Sequence, residues 1–313
     1  MGLEDAEKLG LRRSKELASL EDEAIANINR AMAVSFVQLE KQIKRYYPTY
    51  MKGDTIPFPV VRSAALVTQI KDYLDLVNPS NIPLIQGEYE RIIAVAQEMG
   101  LTTGKDLIKV LAPLDDPLFD EVNSIKFNKK AVKVSAKLAT TRLKGHSDVF
   151  KTKVSDILTG SIAIGAGPAK VATLIQGQFE VTKTKAETIA RTETISTYAA
   201  TNKALYEENG IEYVIAIETE DNRICGFCKA RSGKIFKRTD IVDLAHPQCR
   251  VQLSPFKPQW AEFLDDGWFE DHQDRIQKLS TNDVNYGVTP FEKAAGLQKP
   301  VTRYNIEDFK NIT

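Results

Sequence analysis

The sequence has few of the residues that bind metals or form covalent cross-links: 313 residues include three cysteines and three histidines. An odd thiol count argues against a disulfide framework. An excess of one charge is also missing, because 42 basic side chains balance 42 acidic ones. No global field draws the chain to nucleic acid or an anionic membrane, so any such partner must be met by a local patch. Long apolar runs are absent too. The most apolar stretch, from Ile157 to Ile175, is interrupted by Gly160, Gly165, Gly167, Pro168 and Lys170, too broken to span a bilayer. Charges from Glu4 onward predict no secretory leader in this stretch, and Ala6 stands where a myristoylation signal needs Ser or Thr. These absences predict no membrane partner and residence in a reducing cytoplasm.

The scarce residues fall together. Cys225, Cys228, His246 and Cys249 read C-x-x-C, a gap, then H-P-x-C, and they take every cysteine of the chain. Two thiols two residues apart grip one ion from a tight knuckle, and a His-x-x-Cys pair supplies the other corners of a tetrahedron. Four protein ligands leave no open position, so such a zinc site is structural. Metal-free packing and a transient C-x-x-C redox pair are the competing readings. Residues Asp221 to Phe236 predict a small hairpin carrying the knuckle, with Lys234, Ile235 and Phe236 returning.

Upstream the chain reads as mainly helical. Leu17, Leu20, Ala24, Ile28, Ala31, Phe36, Leu39 and Ile43 form one face of a helix from about Arg13 to Tyr46, which packs internally or docks a partner. Pro48, Gly53, Pro57 and Pro59 predict a loop. A second helix is expected over Val61 to Val77 with Leu66, Ile70, Tyr73 and Leu74 inward, and a third over Glu88 to Met99 with Gly100 as its C-cap. Asp106 to Leu111 reads as a short turn before the loop around Pro113 and Pro117.

Lys126, Lys129, Lys130, Lys133, Lys137, Arg142 and Lys144 follow one another without an acid, the strongest charge asymmetry in the chain. Phe127, Val132, Val134, Leu138 and Leu143 interleave with them, giving an amphipathic helix or strand. That face is either solvated or the contact for DNA or an acidic protein surface. Gly160 and Gly165 are spaced like part of a phosphate loop, but Ala166 and Gly167 stand where Lys and Ser or Thr are required. A turn is expected there, then a helix from Pro168 to about Phe179.

A further helix is predicted from Lys183 to Asn209, closed by Gly210, with Arg191 and Glu193 bonded to the following hairpin rather than forming a catalytic pair. Ile211 to Glu218 alternates as a strand, with Tyr213, Ile215 and Ile217 on one face and Val214 and Ala216 on the other. Beyond Pro255, Trp260, Phe263, Trp268 and Phe269 anchor a short helix or clamp. The last forty residues read as an extended tail.

The series Ala190-Arg191-Thr192-Glu193, Asn202, Gly210, Asp221, Arg223, Cys225, Cys228, Gly233, His246-Pro247 and Cys249-Arg250 resembles the Mu F-like domain of minor head, or head-morphogenesis, proteins of tailed phages. The resemblance covers about Val154 to Phe256. Val251 stands where members commonly carry a second cysteine of Cys-Arg-Cys, and Ala245 where a proline is frequent. The resemblance implies a non-enzymatic virion component inside the capsid, made in the host cytoplasm, partnered by portal and by major capsid or scaffold protein. It further implies help in head assembly, DNA packaging or DNA ejection. The alternative is a zinc-stapled DNA-binding protein or nuclease, for which His146 and His272 are the spare histidines and neither sits in a matching motif. The expected organisation is a helical region over 1–150, a Mu F-like module with its Cys/His site over 151–256, and a tail over 257–313. The fold class is mainly α with a small α+β zinc-bound module.

Overall fold

A computed structural model of the chain describes residues 2–51, 59–218, 224, 226–241, 250–264, 267–279 and 302–310. The helices are longer than local sequence signals suggest. Helix α1 runs over Leu3–Met51 and passes through Pro48. A proline this near the end costs one backbone bond, and the turn is anchored by buried Tyr47, whose hydroxyl donates to the Ala166 carbonyl at 2.8 Å. Helix α2 covers Pro59–Ile70 and gives way to a 3₁₀ turn at Lys71–Tyr73. Leu66, Ile70 and Leu74 are buried as expected, whereas Tyr73 points outward at 38% exposure because the tighter turn rotates it off the stripe.

Helix α3 spans Ile82–Leu111, so Gly100 lies inside it and is no cap. The glycine serves close approach instead. A Cβ on Gly100 would come within 2.9 Å of the Tyr198 carbonyl oxygen, and one on Gly104 within 2.7 Å of Leu205. Both face helix α6, Pro168–Glu208, which unites the two shorter helices expected there. Glu180, Val181 and Thr182 break nothing, and Thr182 is held in the helix by donating to the Gln178 carbonyl at 3.1 Å. Gly210 closes α6 as predicted, with the Ile211 amide reaching back to the Tyr206 carbonyl at 2.9 Å. A four-residue helix α4, Pro117–Asp120, and a 35-residue helix α5, Lys129–Ala163, lie between α3 and α6 in the chain.

The strands follow. β1 (Tyr213–Glu218) is central in a three-stranded antiparallel sheet of order β2-β1-β3, with β2 at Lys234–Lys237 and β3 at Val251–Phe256. Ile215 faces Ile235 on one side and Ser254 on the other. The expected in-out alternation of β1 does not appear in its burial, because Val214 to Glu218 are all covered. Pro255 sits in β3, an edge strand of this sheet, where a missing amide can be accommodated. Helix α7 (Gly226–Arg231) intervenes between β1 and β2, so the described part of the connection includes a helical turn that a plain hairpin would lack. Short α8 (Ala261–Leu264) and α9 (Trp268–Lys278) follow. Trp260, Trp268 and Phe269 are buried, while Phe263 is 49% exposed and leaves the predicted clamp.

The chain divides into two compact units, one from Met1–Leu20, Ile93–Lys129 and Arg191–Thr313, the other from Glu21–Ile92 and Lys130–Ala190. The first holds the sheet, with a core that includes Leu107, Tyr206, Ile215, Phe256 and Trp260. The second is helical and is centred on Phe36, stacked on Phe179 at 4.2 Å and edge-on to Phe150 at 6.4 Å. In that unit Ser147 of α5 accepts the Leu76 amide at 2.9 Å and fixes the turn after α2. No helix among the described residues is long and apolar enough to cross a membrane.

Candidate metal centre

Cys228 is the predicted ligand that the structure describes; Cys225, His246 and Cys249 lie outside the described residues. Its thiol is buried on α7, 3% exposed. Three contacts pin that short helix. Arg231 forms an ion pair with Glu218 in which both side chains are buried, Lys229 Nζ donates to the Gln277 and Leu279 carbonyls at 2.9 Å, and the Ser232 amide caps the Cys228 carbonyl at 3.0 Å. The chain then turns at Gly233, whose φ of 73° lies in the left-handed region. A Cβ there would also sit 2.6 Å from Gln273 Nε2, so a side chain would displace that amide as well as strain the backbone. The Gly233 amide donates to the Ala216 carbonyl at 2.7 Å, which ties the turn to β1.

Glu218 lies opposite Val251 in the β1–β3 register. The chain therefore leaves β1 toward α7, and enters β3 from Arg250, at the same end of the sheet. Among the described residues no group of three His, Cys, Asp or Glu side chains is placed to hold a metal.

Helix α6 reaches the sheet through buried hydroxyls. Tyr198 Oη donates to Gln252 Oε1 at 3.2 Å and Tyr206 Oη to the Leu253 carbonyl at 2.9 Å. Burial drives the Tyr206 phenol well above its ordinary pKa and raises that of Tyr198, so both remain neutral donors. Asn202 is fully buried on the same helix, 3.0 Å from where a Gly104 Cβ would stand. Arg191 and Glu193 are half-buried.

Sequence reasoning missed one constellation, and no sequence signal could have found it, since its ends are 265 residues apart. Ser232 Oγ lies 2.8 Å from His272 Nε2, and His272 Nδ1 lies 3.1 Å from Glu7 Oε1. The arrangement has the order of a nucleophile, a base and an orienting carboxylate. It is closed to a substrate. Ser232 and His272 are fully buried, Ser232 Oγ accepts the Glu218 amide at 3.1 Å, and Glu7 also accepts from Trp268 Nε1 at 2.9 Å and Arg275 at 2.8 Å. As it stands it bolts α1, the β2 turn and α9 together.

The basic segment is helical, in α5 from Lys129 onward, and Lys126, Lys129, Lys130, Lys133 and Lys137 are all exposed. Val132 and Leu143 point into the core, but Val134 and Leu138 are 52% and 51% exposed. Helical geometry turns them to the outer side, beside the lysines.

Residues 152–254 match the family described as Phage Mu protein F like protein. This chain carries a Mu F-like domain of phage head-morphogenesis proteins. The match takes in the end of α5, α6, β1, α7, β2 and the first four residues of β3, and it brackets the four Cys/His positions. No curated protein and no solved structure matches the chain.

Proposed function

We propose that the chain is a minor head protein, held inside the capsid near the portal vertex, that assists head assembly and the packaging or ejection of DNA. The observation that carries this reading is the Mu F-like domain over 152–254. Its role is to bind portal and major capsid or scaffold protein rather than to catalyse a reaction. The closed state of the Ser232–His272–Glu7 group supports that. The test is affinity purification of the tagged chain from a phage-producing lysate. Co-purification of portal and major capsid protein is the expected result; nucleic acid or host enzymes in their place would overturn it.

Within this reading Cys225, Cys228, His246 and Cys249 hold a structural zinc. Cys228 fits the assignment, since its thiol is buried on a helix pinned at the end of the sheet from which Arg250 also starts. Three thiols and an imidazole make a tetrahedral set that suits zinc and also accepts iron. Bound metal would add folding energy where the elements are short. Cys228→Ser is expected to remove stoichiometric metal from the purified protein and to unfold this end of the sheet, seen as new protease cleavage. A metal-free variant with wild-type melting and protease resistance would sink the staple.

DNA contact is a second reading, favoured by the exposed Lys130, Lys133 and Lys137 of α5. Neutralising the three should abolish a salt-sensitive gel shift; no shift at low salt removes the reading.

A further inference from the structure

The tail is seated on its own unit as a ligand sits in a receptor. Ile235 of the edge strand β2 exchanges both backbone bonds with Tyr304, at 3.0 and 2.9 Å. The Tyr304 ring meets Tyr213 edge-on at 5.8 Å, and Phe309 packs edge-on against both Tyr213 at 5.0 Å and Phe256 at 5.1 Å. Ile306 and Phe309 are buried, at 1% and 4% exposure, while Arg303, Glu307 and Asp308 face solvent. A two-bond backbone bridge on a sheet edge, followed by a turn whose two apolar side chains are buried, is a one-residue form of strand addition.

The segment also carries its own shape. The Asn305 amide donates to Asp308 Oδ2 at 2.8 Å, a reciprocal cap that organises the 3₁₀ turn at Ile306–Phe309 from inside the peptide. Lys234 Nζ adds a bond to Asn305 Oδ1 at 2.8 Å. A short segment that folds its own turn loses less freedom on docking and needs little from the residues before it.

We propose that residues 302–310 are an exchangeable docking peptide, and that the β2 edge with its Tyr213–Phe256 slot accepts the same peptide from a second copy of this chain. The occupant follows from the structure, because every copy carries both the slot and a segment that fits it. The 22 residues 280–301 join Leu279 to the docked peptide, and a chain of that length can reach about 70 Å when extended. A peptide joined to its own slot through the same chain is held there at an effective concentration of about 1 mM. Docking within one chain therefore prevails in dilute solution, and exchange between chains competes when copies are gathered. A mutual exchange gives a closed pair, and a one-way exchange gives a ring or a row. This inference stands apart from the head assignment and survives its loss.

The test uses purified full-length chains. In the variant Ile306→Ala/Phe309→Ala the slot is vacated, and a fluorescent peptide of residues 302–310 should bind it at least about tenfold more tightly than it binds the wild type. A tagged copy of this variant, immobilised densely, should capture untagged wild type by its intact tail, but should not capture untagged variant. A folded variant that binds neither peptide nor wild type overturns the proposal. Peptide binding without capture of wild type, at chain concentrations up to about 1 mM, overturns the exchange between copies. Should the variant not fold, wild type alone decides: incorporation of labelled peptide and capture of wild type by tagged wild type at those concentrations support the proposal, and absence of either overturns it.

Discussion

Helices in the two units meet in opposite ways. In the sheet-bearing unit α3 lies against α6 through Gly100 and Gly104, where side chains are missing, and the contact is finished by tyrosine hydroxyls reaching β3. In the helical unit α1, α5 and α6 meet through the rings of Phe36, Phe150 and Phe179. One seam is defined by absence and the other by bulk. The first should resist added atoms, and the second should resist their removal.

The largest expected effect is removal from the second seam. Phe36→Ala deletes the ring that stacks on Phe179, and should cost about 3–5 kcal/mol in denaturant unfolding. A loss under about 1 kcal/mol would mean that the rings do not define that unit. Addition to the first seam comes next: Gly100→Ala sets a methyl against the Tyr198 carbonyl and should cost about 1–3 kcal/mol. Smaller still is the effect at Asp116, which caps α4. Burial pushes its carboxyl upward, but the Leu118 amide, Trp260 Nε1 and Lys257 outweigh burial and hold it below the ordinary value of 3.8. A depressed folded pKa contributes stability that is fully present above that ordinary value and lost as pH falls through the lower one. Asp116→Asn should therefore lower the melting temperature near neutrality and flatten its fall in acid; an acid limb parallel to wild type would count against the linkage. The smallest change runs the other way. A Cβ on Gly145, in α5 of the second unit, meets nothing within 4 Å, so Gly145→Ala should stabilise by about 0.5–1 kcal/mol through helix propensity. Two Gly→Ala changes in helices, opposite in sign, would make the contrast sharp.

Much of this was legible in the sequence. The α1 stripe, the end of α6 at Gly210 and the strand at Tyr213–Glu218 follow from periodicity and from one residue that tolerates positive φ. The errors share a cause. Gly100 reads as a stop because a local signal cannot show that Tyr198 will be its neighbour. Pro48 reads as a break because Tyr47 finds its anchor at Ala166. β3 escaped notice since Pro255 argues against a strand unless its place at an edge is known. At the candidate centre the spacing of Cys225, Cys228, His246 and Cys249 proposes the ligands; of these the structure describes Cys228, and it adds the burial of that thiol and the pins that hold its helix. The Glu7–His272–Ser232 bolt was beyond reach, because nothing in a sequence relates one end of a chain to the other.

Pro255 has a bearing on the limits of assembly. Ile235 turns its amide and carbonyl outward to Tyr304, so by alternation Val214 bonds toward β2 and Pro255, opposite it, turns outward from the sheet. That outer edge offers no amide at Pro255, and its Leu253 carbonyl is already taken by Tyr206. Strand-by-strand polymerisation needs two receptive edges. At Pro255 and Leu253 the β3 edge lacks both an amide and a free carbonyl, so a further strand cannot pair with it there as Tyr304 pairs with Ile235, and growth through the sheet is disfavoured on that side.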